Sequence, residues 1–335
     1  MKKIGDLWLP EEEETFESGG MITDRIDRIT HIPQSHLAEI LPAPRSIKIE
    51  LTAECQLRCF FCATSHGLRA KGHMDFDLFM RLVESFRIAG VEELGLFYLG
   101  ESMLYPQLVE AVRYAKGVCK FPYVFLTTNG LLATPEKVTQ LFYAGLDSLK
   151  FSFNSADGQQ MRETTQVDAF DRVVNNIRAA WYRRDMVEDQ TGHRCGLYAS
   201  SILYEGAQRE KMAAAVEKIK PFVDECYYLP LYSQHSLANE QIDEQGYVPT
   251  AGNMGRIGSL VPALPCWAVF CEAHVTWDGL LTACCFSHTD EFTMGDLRTT
   301  PFMEAWNSQA FQDLRKAHLA KNVAGTQCAA CVAYA

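Results

Sequence analysis

Short apolar segments alternate with longer segments of helical period between Ser46 and Tyr232, and no other feature constrains the fold of this 335-residue chain as strongly. The strand candidates share β-branched and aromatic residues: SIKIEL (46–51), ELGLFYL (93–99), YVFLTT (123–128), SLKFSF (148–153), LYASSIL (197–203) and CYYLPLY (226–232). The helical patterns lie between them, at roughly 75–89, 106–117, 135–144, 168–184 and 208–220. This order predicts βαβ units and a parallel sheet, open or barrel-like, with ligands at the carboxyl ends of its strands.

The pattern also divides the chain into parts. Residues 1–44 contain an acidic run and a Gly-Gly turn, and we expect an irregular lead-in to the 45–232 unit. Residues 233–265 are rich in Gly, Asn, Ser and Pro, which predicts a linker or a substrate-facing loop. A second cysteine-bearing unit follows at 266–335.

Composition and charge narrow the classes of function. Apolar residues make up 47% and charged residues 22%, which is ordinary for a globular protein. No apolar run is long enough to span a bilayer, and the charged start MKKIGDLWLPEEEE does not resemble a signal peptide, so we expect a cytoplasmic protein without a membrane partner. The net charge of −11 disfavours a nucleic-acid partner, because polyanions are held mainly by basic surface.

Three cysteines directly follow the first predicted strand, where a parallel sheet places its ligands. Cys55, Cys59 and Cys62 have the spacing C-x3-C-x2-C, and clustered cysteines in a reducing compartment are typical of metal or catalytic sites. One alternative is a buried helical stripe of small hydrophobic residues. Another is a zinc site completed by His66 or His73. A third is an iron–sulfur cluster with three thiolate ligands and one open iron.

The spacing and the aromatic residue before the last cysteine, Phe61, resemble the signature of the radical S-adenosylmethionine (radical SAM) superfamily. The resemblance implies a [4Fe–4S] cluster held by the three cysteines, with S-adenosylmethionine bound to the fourth iron. Reductive cleavage would then give a 5′-deoxyadenosyl radical that abstracts hydrogen from a substrate. It also implies a partial (β/α)6 TIM-like barrel over residues 46–232, with Phe61 close to the adenine.

Further matches follow at successive strand ends. Gly100 and Glu101 in FYLGES resemble the Gly-Gly-Glu motif that binds the methionine amino group, although Leu99 replaces the first glycine. Each of the other matching polar residues could alone be an ordinary strand-end cap, and their sequential placement carries the resemblance. The additional cofactor contacts that it implies are Thr128 and Asn129 in TTNG, Ser152 and Asn154 in KFSFN, and Arg162 downstream.

The second cysteine-bearing unit has the composition of a four-ligand metal site. It combines separated cysteines, a TWDG hairpin turn, an amphipathic helix and a final C-x2-C. A structural zinc is one interpretation. The unit also resembles the SPASM/twitch auxiliary-cluster domain, which implies a second [4Fe–4S] cluster with Cys266, Cys284, Cys328 and Cys331 as ligands.

Several cysteine assignments in this chain stay open at this point. Cys285 is the alternative to Cys284, and Cys271 is a further possible ligand, although a hairpin-core position is favoured for it. Because the sequence ends four residues after Cys331, one auxiliary cluster is expected rather than two. The remaining cysteines lie in barrel elements and are expected to be buried thiols: Cys119, Cys195 and Cys226.

The resemblance implies an oxidoreductase that abstracts hydrogen from a small polar substrate, such as a sugar or an aminocyclitol, and passes an electron to the auxiliary cluster. A flavodoxin or a ferredoxin is the expected reductant. The general base is expected among Tyr, His or Asp residues of the 233–250 loop, such as His235 or Asp243. The alternatives are a peptide or protein maturase that forms crosslinks or epimers and, in another class, a zinc-stabilised binding module.

Overall fold

The computed structural model describes residues 2–4, 7–9, 20–232, 234, 237–249 and 252–332. The strands are β1 (Lys2–Ile4), β2 (Leu7–Leu9), β3 (Ser46–Ile49), β4 (Glu93–Gly95), β5 (Tyr123–Thr128), β6 (Ser148–Ser152), β7 (Gly196–Ile202), β8 (Glu225–Leu229), β9 (Gly255–Arg256), β10 (Ser259–Leu260), β11 (Glu272–Val275), β12 (Leu280–Thr282) and β13 (Thr293–Asp296). The α-helices are α1 (Ile22–Thr30), α2 (Phe76–Ile88), α3 (Leu108–Arg113), α4 (Pro135–Tyr143), α5 (Gly158–Thr165), α6 (Phe170–Thr191), α7 (Gly206–Ile219), α8 (Asn239–Glu244), α9 (Ala268–Cys271), α10 (Phe302–Trp306), α11 (Gln309–Leu319) and α12 (Cys328–Val332).

Within these described residues, nine strands form one sheet in the order β13-β12-β11-β3-β4-β5-β6-β7-β8. Strands β3 to β8 are parallel neighbours in chain order, each joined to the next through helical segments on one side. The predicted parallel α/β sheet is therefore confirmed. Its regular order places the carboxyl ends of six strands along one edge, where their loops meet.

Local sequence explains where the connecting helices begin and end. The Asp75 carboxylate accepts a hydrogen bond from the Leu78 N–H at 2.9 Å and caps α2, and α4 begins at Pro135. Gly90 and Gly145 follow these two helices with φ of 101° and 92°, a conformation that suits glycine. These caps confirm the predicted boundaries of both helices.

The two faces of β6 differ in chemistry. Leu149 and Phe151 are fully buried in the hydrophobic core, whereas Ser148 and Lys150 line an interior cavity on the other face. A parallel sheet that is packed on both faces normally has an almost continuous apolar sequence. The polar inner face of this strand therefore indicates a sheet that curves around a functional cavity.

The C-terminal unit extends the barrel sheet rather than forming a sheet of its own. Strand β11 pairs in parallel with β3, with Glu272 opposite Ser46 and Val275 opposite Ile49, and β12 and β13 continue the sheet antiparallel. This contact joins residues more than 220 positions apart in the chain. As a result, the second cysteine-bearing unit lies directly beside the strand that precedes the first cysteine cluster.

The N-terminal lead-in differs from the irregular segment that composition predicts. Residues 22–30 form α1, whose Ile22 and Ile29 are buried and whose Arg25 makes a buried ion pair with Glu93 at the start of β4. The helix lacks a side-chain N-cap and is only nine residues long, so its sequence signal is weak. It lines the interior cavity and is therefore part of the functional architecture.

The segment after β8 also contains more regular structure than a linker. Within 233–265, the described residues form α8 and the β9–β10 hairpin, and Arg256 of that hairpin makes an ion pair with Asp27 on α1. His235, a predicted candidate base, lies outside the described residues. Among the residues that are described, no helix is both long and apolar enough to cross a membrane.

Candidate cofactor and substrate sites

The first cysteine cluster lies in a loop that is fixed to its neighbours by backbone hydrogen bonds. The Arg58 N–H donates to the Thr165 carbonyl at 3.0 Å, and the Phe60 N–H donates to the Thr164 carbonyl at the same distance. Both acceptors belong to the last turn of α5, whose carbonyls need such partners. The loop therefore holds its three free thiols, Cys55, Cys59 and Cys62, in a defined arrangement above β3.

The chemistry of these thiols fits an iron–sulfur cluster. Burial raises the pKa of Cys55 to about 11, and burial and mutual repulsion also raise the pKa of Cys59. Burial raises the pKa of Cys62 as well, and this rise is opposed by hydrogen bonds from Thr64. Thiols that resist ionisation in this way become ligands when a strongly cationic group displaces their protons.

The spacing of the thiols also bears on the zinc alternative. A single zinc ion draws each thiolate to about 2.3 Å, so that its ligands crowd together. Among the described residues, no group of three or more His, Cys, Asp or Glu side chains is arranged to hold one ion. The three thiols of the 55–62 loop are therefore not gathered around a single ion in the described structure.

Gly100 brings the segment that follows β4 against the cysteine loop. A Cβ atom at this position would lie 2.0 Å from the Thr52 carbonyl oxygen and 2.9 Å from the Glu54 carbonyl oxygen. The next N–H, that of Glu101, donates to the same Glu54 carbonyl at 2.8 Å. A glycine is thus required here because the two backbones touch.

The Glu101 side chain ties two strand ends together. It is 3% exposed, and its carboxylate accepts hydrogen bonds from the Thr128 hydroxyl at 2.7 Å and the Asn129 N–H at 2.8 Å. Burial raises its pKa, while these donors oppose the rise. The carboxylate also accepts from the Met103 N–H at 3.1 Å, and the contact that the resemblance implies between this motif and the methionine amino group stays a prediction.

Asn129 links the β5 end to the cysteine loop. Its Oδ1 accepts from Gln56 Nε2 at 3.1 Å, and its Nδ2 lies 3.9 Å from the Cys55 sulfur. This position lies beside a candidate cluster ligand, and the cofactor contact that the resemblance implies for TTNG stays a prediction. Thr128 lies behind it, hydrogen-bonded to Glu101.

A cleft beside the cysteine loop brings several of the predicted cofactor contacts together. Its wall includes Cys59 and Phe61 from the loop, Asn129 from the end of β5, and Ser152 and Asn154 from the end of β6. These residues are candidates to hold S-adenosylmethionine, because they border both a cluster ligand and the carboxyl ends of the strands.

Arg162 is the predicted contact that the structure does not bring to this cleft. It lies on α5 with 55% of its side chain exposed and makes an ion pair with Asp168. The helix turns Arg162 outward, whereas its neighbour Met161 faces the cleft. A role in gripping the cofactor carboxylate is therefore unsupported by this geometry.

The predicted auxiliary-cluster ligands also meet around one cavity. Cys266, Cys284, Cys328 and Cys331 all line a small cavity of about 20 Å³. Cys285 instead lines the large interior cavity, because adjacent residues point in different directions. The geometry thus favours Cys284 over Cys285 as the fourth ligand.

The remaining cysteines are placed largely as expected. Cys271 is buried in the core at the end of α9 and lines neither cavity. Cys119 and Cys195 are buried, whereas Cys226 is partly exposed.

A histidine that the cysteine pattern does not predict lies at the auxiliary site. His318 of α11 is fully buried, its Nδ1 accepts from the Cys266 N–H at 3.1 Å, and its Nε2 lies 3.3 Å from the Cys328 sulfur. A lone histidine on an amphipathic helix has no spacing that marks it, so no local signal identifies it.

The interior cavity, of about 280 Å³, lies between α1, the inner face of the barrel strands and the C-terminal unit. Lys48 and Glu272 are among the charged residues that line it. Lys48 Nζ and His274 Nε2 lie 2.6 Å and 3.1 Å from the Glu272 carboxylate, and although burial opposes ionisation, these partners lower the pKa of Glu272. Lys150 lines the same cavity. We name this space the lumen cavity.

Comparison with known proteins agrees with this organisation. The radical SAM superfamily profile matches residues 49–180, and the SPASM profile, an iron–sulfur cluster-binding domain, matches residues 266–332. A probable GTP 3′,8-cyclase from Saccharolobus islandicus is 34% identical over 138 residues, which are 40% of this chain and 42% of that protein. The GTP 3′,8-cyclase of Chlorobaculum tepidum is 30% identical over 127 residues, which are 38% of each chain. The chain thus matches about two fifths of the length of these curated relatives.

Solved structures share the fold over most of the chain. BtrN in complex with AdoMet and 2-DOIA superimposes with a TM-score of 0.51 and 17% identity, covering 82% of this chain and 86% of that one. Streptococcus suis SuiB bound to S-adenosylmethionine gives a TM-score of 0.60 and 16% identity, covering 82% and 68%. The predicted α/β fold with a C-terminal auxiliary domain is confirmed. The chain belongs to the radical SAM superfamily, and it is a radical SAM enzyme with a C-terminal SPASM domain that uses S-adenosylmethionine and [4Fe–4S] chemistry.

Proposed function

We propose that this enzyme is an oxidoreductase that converts a carbinol carbon of a small polar substrate, such as a sugar or an aminocyclitol, into a carbonyl. The observation that carries the proposal is the position of the lumen cavity. Its lining includes Lys150 and Cys285. Lys150 lies on β6 two residues before Ser152, which borders the cleft that is a candidate site for S-adenosylmethionine, and Cys285 is adjacent in sequence to the candidate cluster ligand Cys284.

A two-electron oxidation of a carbinol needs an acceptor for a hydrogen atom and an acceptor for an electron, and this arrangement offers a candidate site for each next to one substrate cavity. The candidate ligands Cys55, Cys59 and Cys62 would hold the cluster that binds S-adenosylmethionine, and the C-terminal cysteines would hold the auxiliary cluster. When bound, these groups supply an acceptor for a hydrogen atom and an acceptor for one electron. The chain itself supplies a polar cavity that orients the substrate between them.

The dimensions and the lining of the cavity support a small substrate. A volume of about 280 Å³ is close to the lower range of small-molecule pockets, roughly 300–1,000 Å³. Apolar walls such as Phe97 and Phe125 surround a few charged groups, which is the usual composition of such sites. A peptide substrate, in contrast, would need a continuous groove for its backbone.

The test is a substrate panel with the reconstituted enzyme under anaerobic conditions. The panel contains 2-DOIA, other aminocyclitols and simple sugars, each with deuterium at its carbinol carbons, and flavodoxin or ferredoxin as reductant. We expect a carbonyl product together with deuterium in 5′-deoxyadenosine. Deuterium transfer from a peptide but from no small carbinol would contradict the proposal and favour a maturase. A colourless protein that binds zinc in place of iron would contradict both.

A further inference from the structure

Lys150 is a charged residue of the lumen cavity to which the described part of the chain offers no ion-pair partner. Lys48 pairs with Glu272, and Arg25 pairs with Glu93. In the part of the chain that the structure describes, the Lys150 amine has neither a hydrogen-bond nor an ion-pair partner, and it lies 5.9 Å from the centre of the Tyr227 ring. Lys150 is half-buried in the cavity wall, where an amine without a partner is costly unless it becomes neutral or meets a ligand.

The groups around Lys150 set its protonation. Burial, followed by repulsion from Lys48 on β3 and from Arg25 on α1, lowers its pKa to about 7, and Glu272 on β11 opposes the shift only in part. The nearby phenol of Tyr227 on β8 does not compete as a base, because burial raises its pKa. Lys150 therefore exchanges between its ammonium and amine forms near neutral pH.

Its position on β6 brings the amine close to the reaction. Residues two apart on a strand face the same side and lie about 6.6 Å apart, so Lys150 projects into the lumen next to Ser152 of the cofactor cleft. A substrate in the lumen cavity would contact Lys150, and Ser152 borders the neighbouring cofactor cleft. The 233–250 loop, where the sequence predicts the base, contributes none of the residues that line this cavity among those described.

We propose that Lys150 is the base that accepts the hydroxyl proton of the substrate, an inference that rests on the proposed oxidoreductase function. The O–H bond breaks, an N–H bond forms on Lys150, and the electron pair stays on the substrate oxygen. The hydrogen atom from carbon would pass to the 5′-deoxyadenosyl radical, and the one remaining electron would pass to the auxiliary cluster. The carbinol thereby becomes a carbonyl. In total the substrate loses one hydrogen atom, one proton and one electron, which is a two-electron oxidation.

The test compares Lys150→Met and Lys150→Arg with the wild-type holoenzyme on a substrate that the panel identifies. We expect both variants to lose carbonyl formation by about 100-fold or more, the usual contribution of a general base, while they still form 5′-deoxyadenosine. In the wild type, product formation should rise with pH through about 7, because only the neutral amine accepts a proton. Lys211→Met, which removes an exposed lysine of α7 outside the lumen cavity, is the control and should keep the rate and the pH profile.

The outcomes separate this inference from the proposed function. Wild-type oxidation that persists in Lys150→Met with an unchanged pH profile would overturn the role of Lys150 and leave the function intact. If no carbinol in the panel is oxidised by the wild type, the function fails and the assignment of Lys150 fails with it. Loss of 5′-deoxyadenosine in both variants would place Lys150 in cofactor binding and would also overturn its role as base.

A second observation concerns the auxiliary site and does not depend on the substrate. The Nδ1 atom of His318 accepts the Cys266 N–H, so the hydrogen of the neutral imidazole is on Nε2. That N–H faces the Cys328 sulfur at 3.3 Å. The ring also packs edge-on against Phe270, which fixes its orientation.

We infer that His318 is a positioning residue that donates an N–H···S hydrogen bond to Cys328 and stabilises the reduced auxiliary cluster. Hydrogen bonds to the sulfur atoms of a cluster stabilise its more negative state and thereby raise the reduction potential. A histidine that accepts from one ligand residue and donates to another also fixes the separation of these two ligands.

The test uses the Cys55/Cys59/Cys62 triple alanine variant, in which only the auxiliary cluster remains. An EPR-monitored redox titration should show a lower midpoint potential in His318→Phe than in the parent, with an intermediate value in His318→Gln, which retains an amide donor. The exposed His31→Gln is the control and should leave the potential unchanged. Unchanged potentials in both His318 variants, or a strong ¹⁵N coupling that marks His318 as a direct iron ligand, would overturn the inference.

Discussion

A methyl group at position 100 tests how tightly the segment that follows β4 is held against the cysteine loop. In Gly100→Ala, the new Cβ atom would lie 2.0 Å from the Thr52 carbonyl oxygen, whereas ordinary contacts exceed 3.4 Å. The clash is with backbone atoms, so no side-chain rotation relieves it. The two segments must separate by more than 1 Å, which also breaks the 2.8 Å hydrogen bond between the Glu101 N–H and the Glu54 carbonyl.

The magnitude follows from these two losses. Overpacking in a well-packed region costs about 1–3 kcal/mol, and a lost backbone hydrogen bond adds about 1 kcal/mol. We therefore expect Gly100→Ala to destabilise the protein by about 3 kcal/mol and to lower its Tm by roughly 5–10 °C. The separation would also displace Cys55, so the variant should take up less iron at the radical SAM site.

Thermal unfolding and iron analysis after reconstitution measure both effects. The control is Gly117→Ala, because a Cβ atom at Gly117 meets no atom within 4 Å and its φ is not in the left-handed region. This control should unfold at or slightly above the wild-type temperature and bind the full amount of iron. A Gly100→Ala protein with unchanged Tm and iron content would refute the close approach of the two backbones.

Four further predictions concern the cysteines and Arg162. Replacing the three cysteines of the 55–62 loop with alanine should abolish S-adenosylmethionine cleavage and leave about four irons bound, as counted by iron analysis. Cys284→Ala should lose the auxiliary-cluster EPR signal and Cys285→Ala should keep it, since only Cys284 lines the ligand cavity; the opposite result would reverse the ligand assignment. Cys328→Ala should still form 5′-deoxyadenosine but no carbonyl product, and retained product would exclude the auxiliary cluster as the electron acceptor. Arg162→Ala should leave the S-adenosylmethionine affinity in a binding assay unchanged, because Arg162 faces solvent; a large loss would restore its predicted role.

The barrel strands and the cysteine ligands could be predicted because their signals are local. Alternation of strand and helix patterns identifies β3 to β8, and short fixed spacings identify the cluster loop at 55–62 and the final C-x2-C. Arg162 illustrates the limit of such matching, since the sequence gives its position on α5 but not the side of the helix that faces the cleft.

The lumen cavity could not be predicted, because it depends on contacts between distant segments. The β11 strand has only four residues, and nothing local shows that it pairs with β3 and brings Glu272 to Lys48. The position of Lys150 in the strand pattern is that of any inward-facing residue, so the sequence does not mark it as special. Its lowered pKa depends in part on Arg25, which comes from the distant helix α1. The chemistry of the cavity therefore becomes visible only when these elements are assembled.

The most direct test of the central claim is the oxidation state of the auxiliary cluster after a single turnover. The reconstituted enzyme is mixed with S-adenosylmethionine, a carbinol substrate identified by the panel and one reducing equivalent, and is then frozen for EPR and product analysis. If the lumen cavity connects the substrate to both cofactor sites, carbonyl product and a reduced auxiliary cluster should form in equal amounts, and neither should form without substrate. Carbonyl product accompanied by a fully oxidised auxiliary cluster would contradict this account.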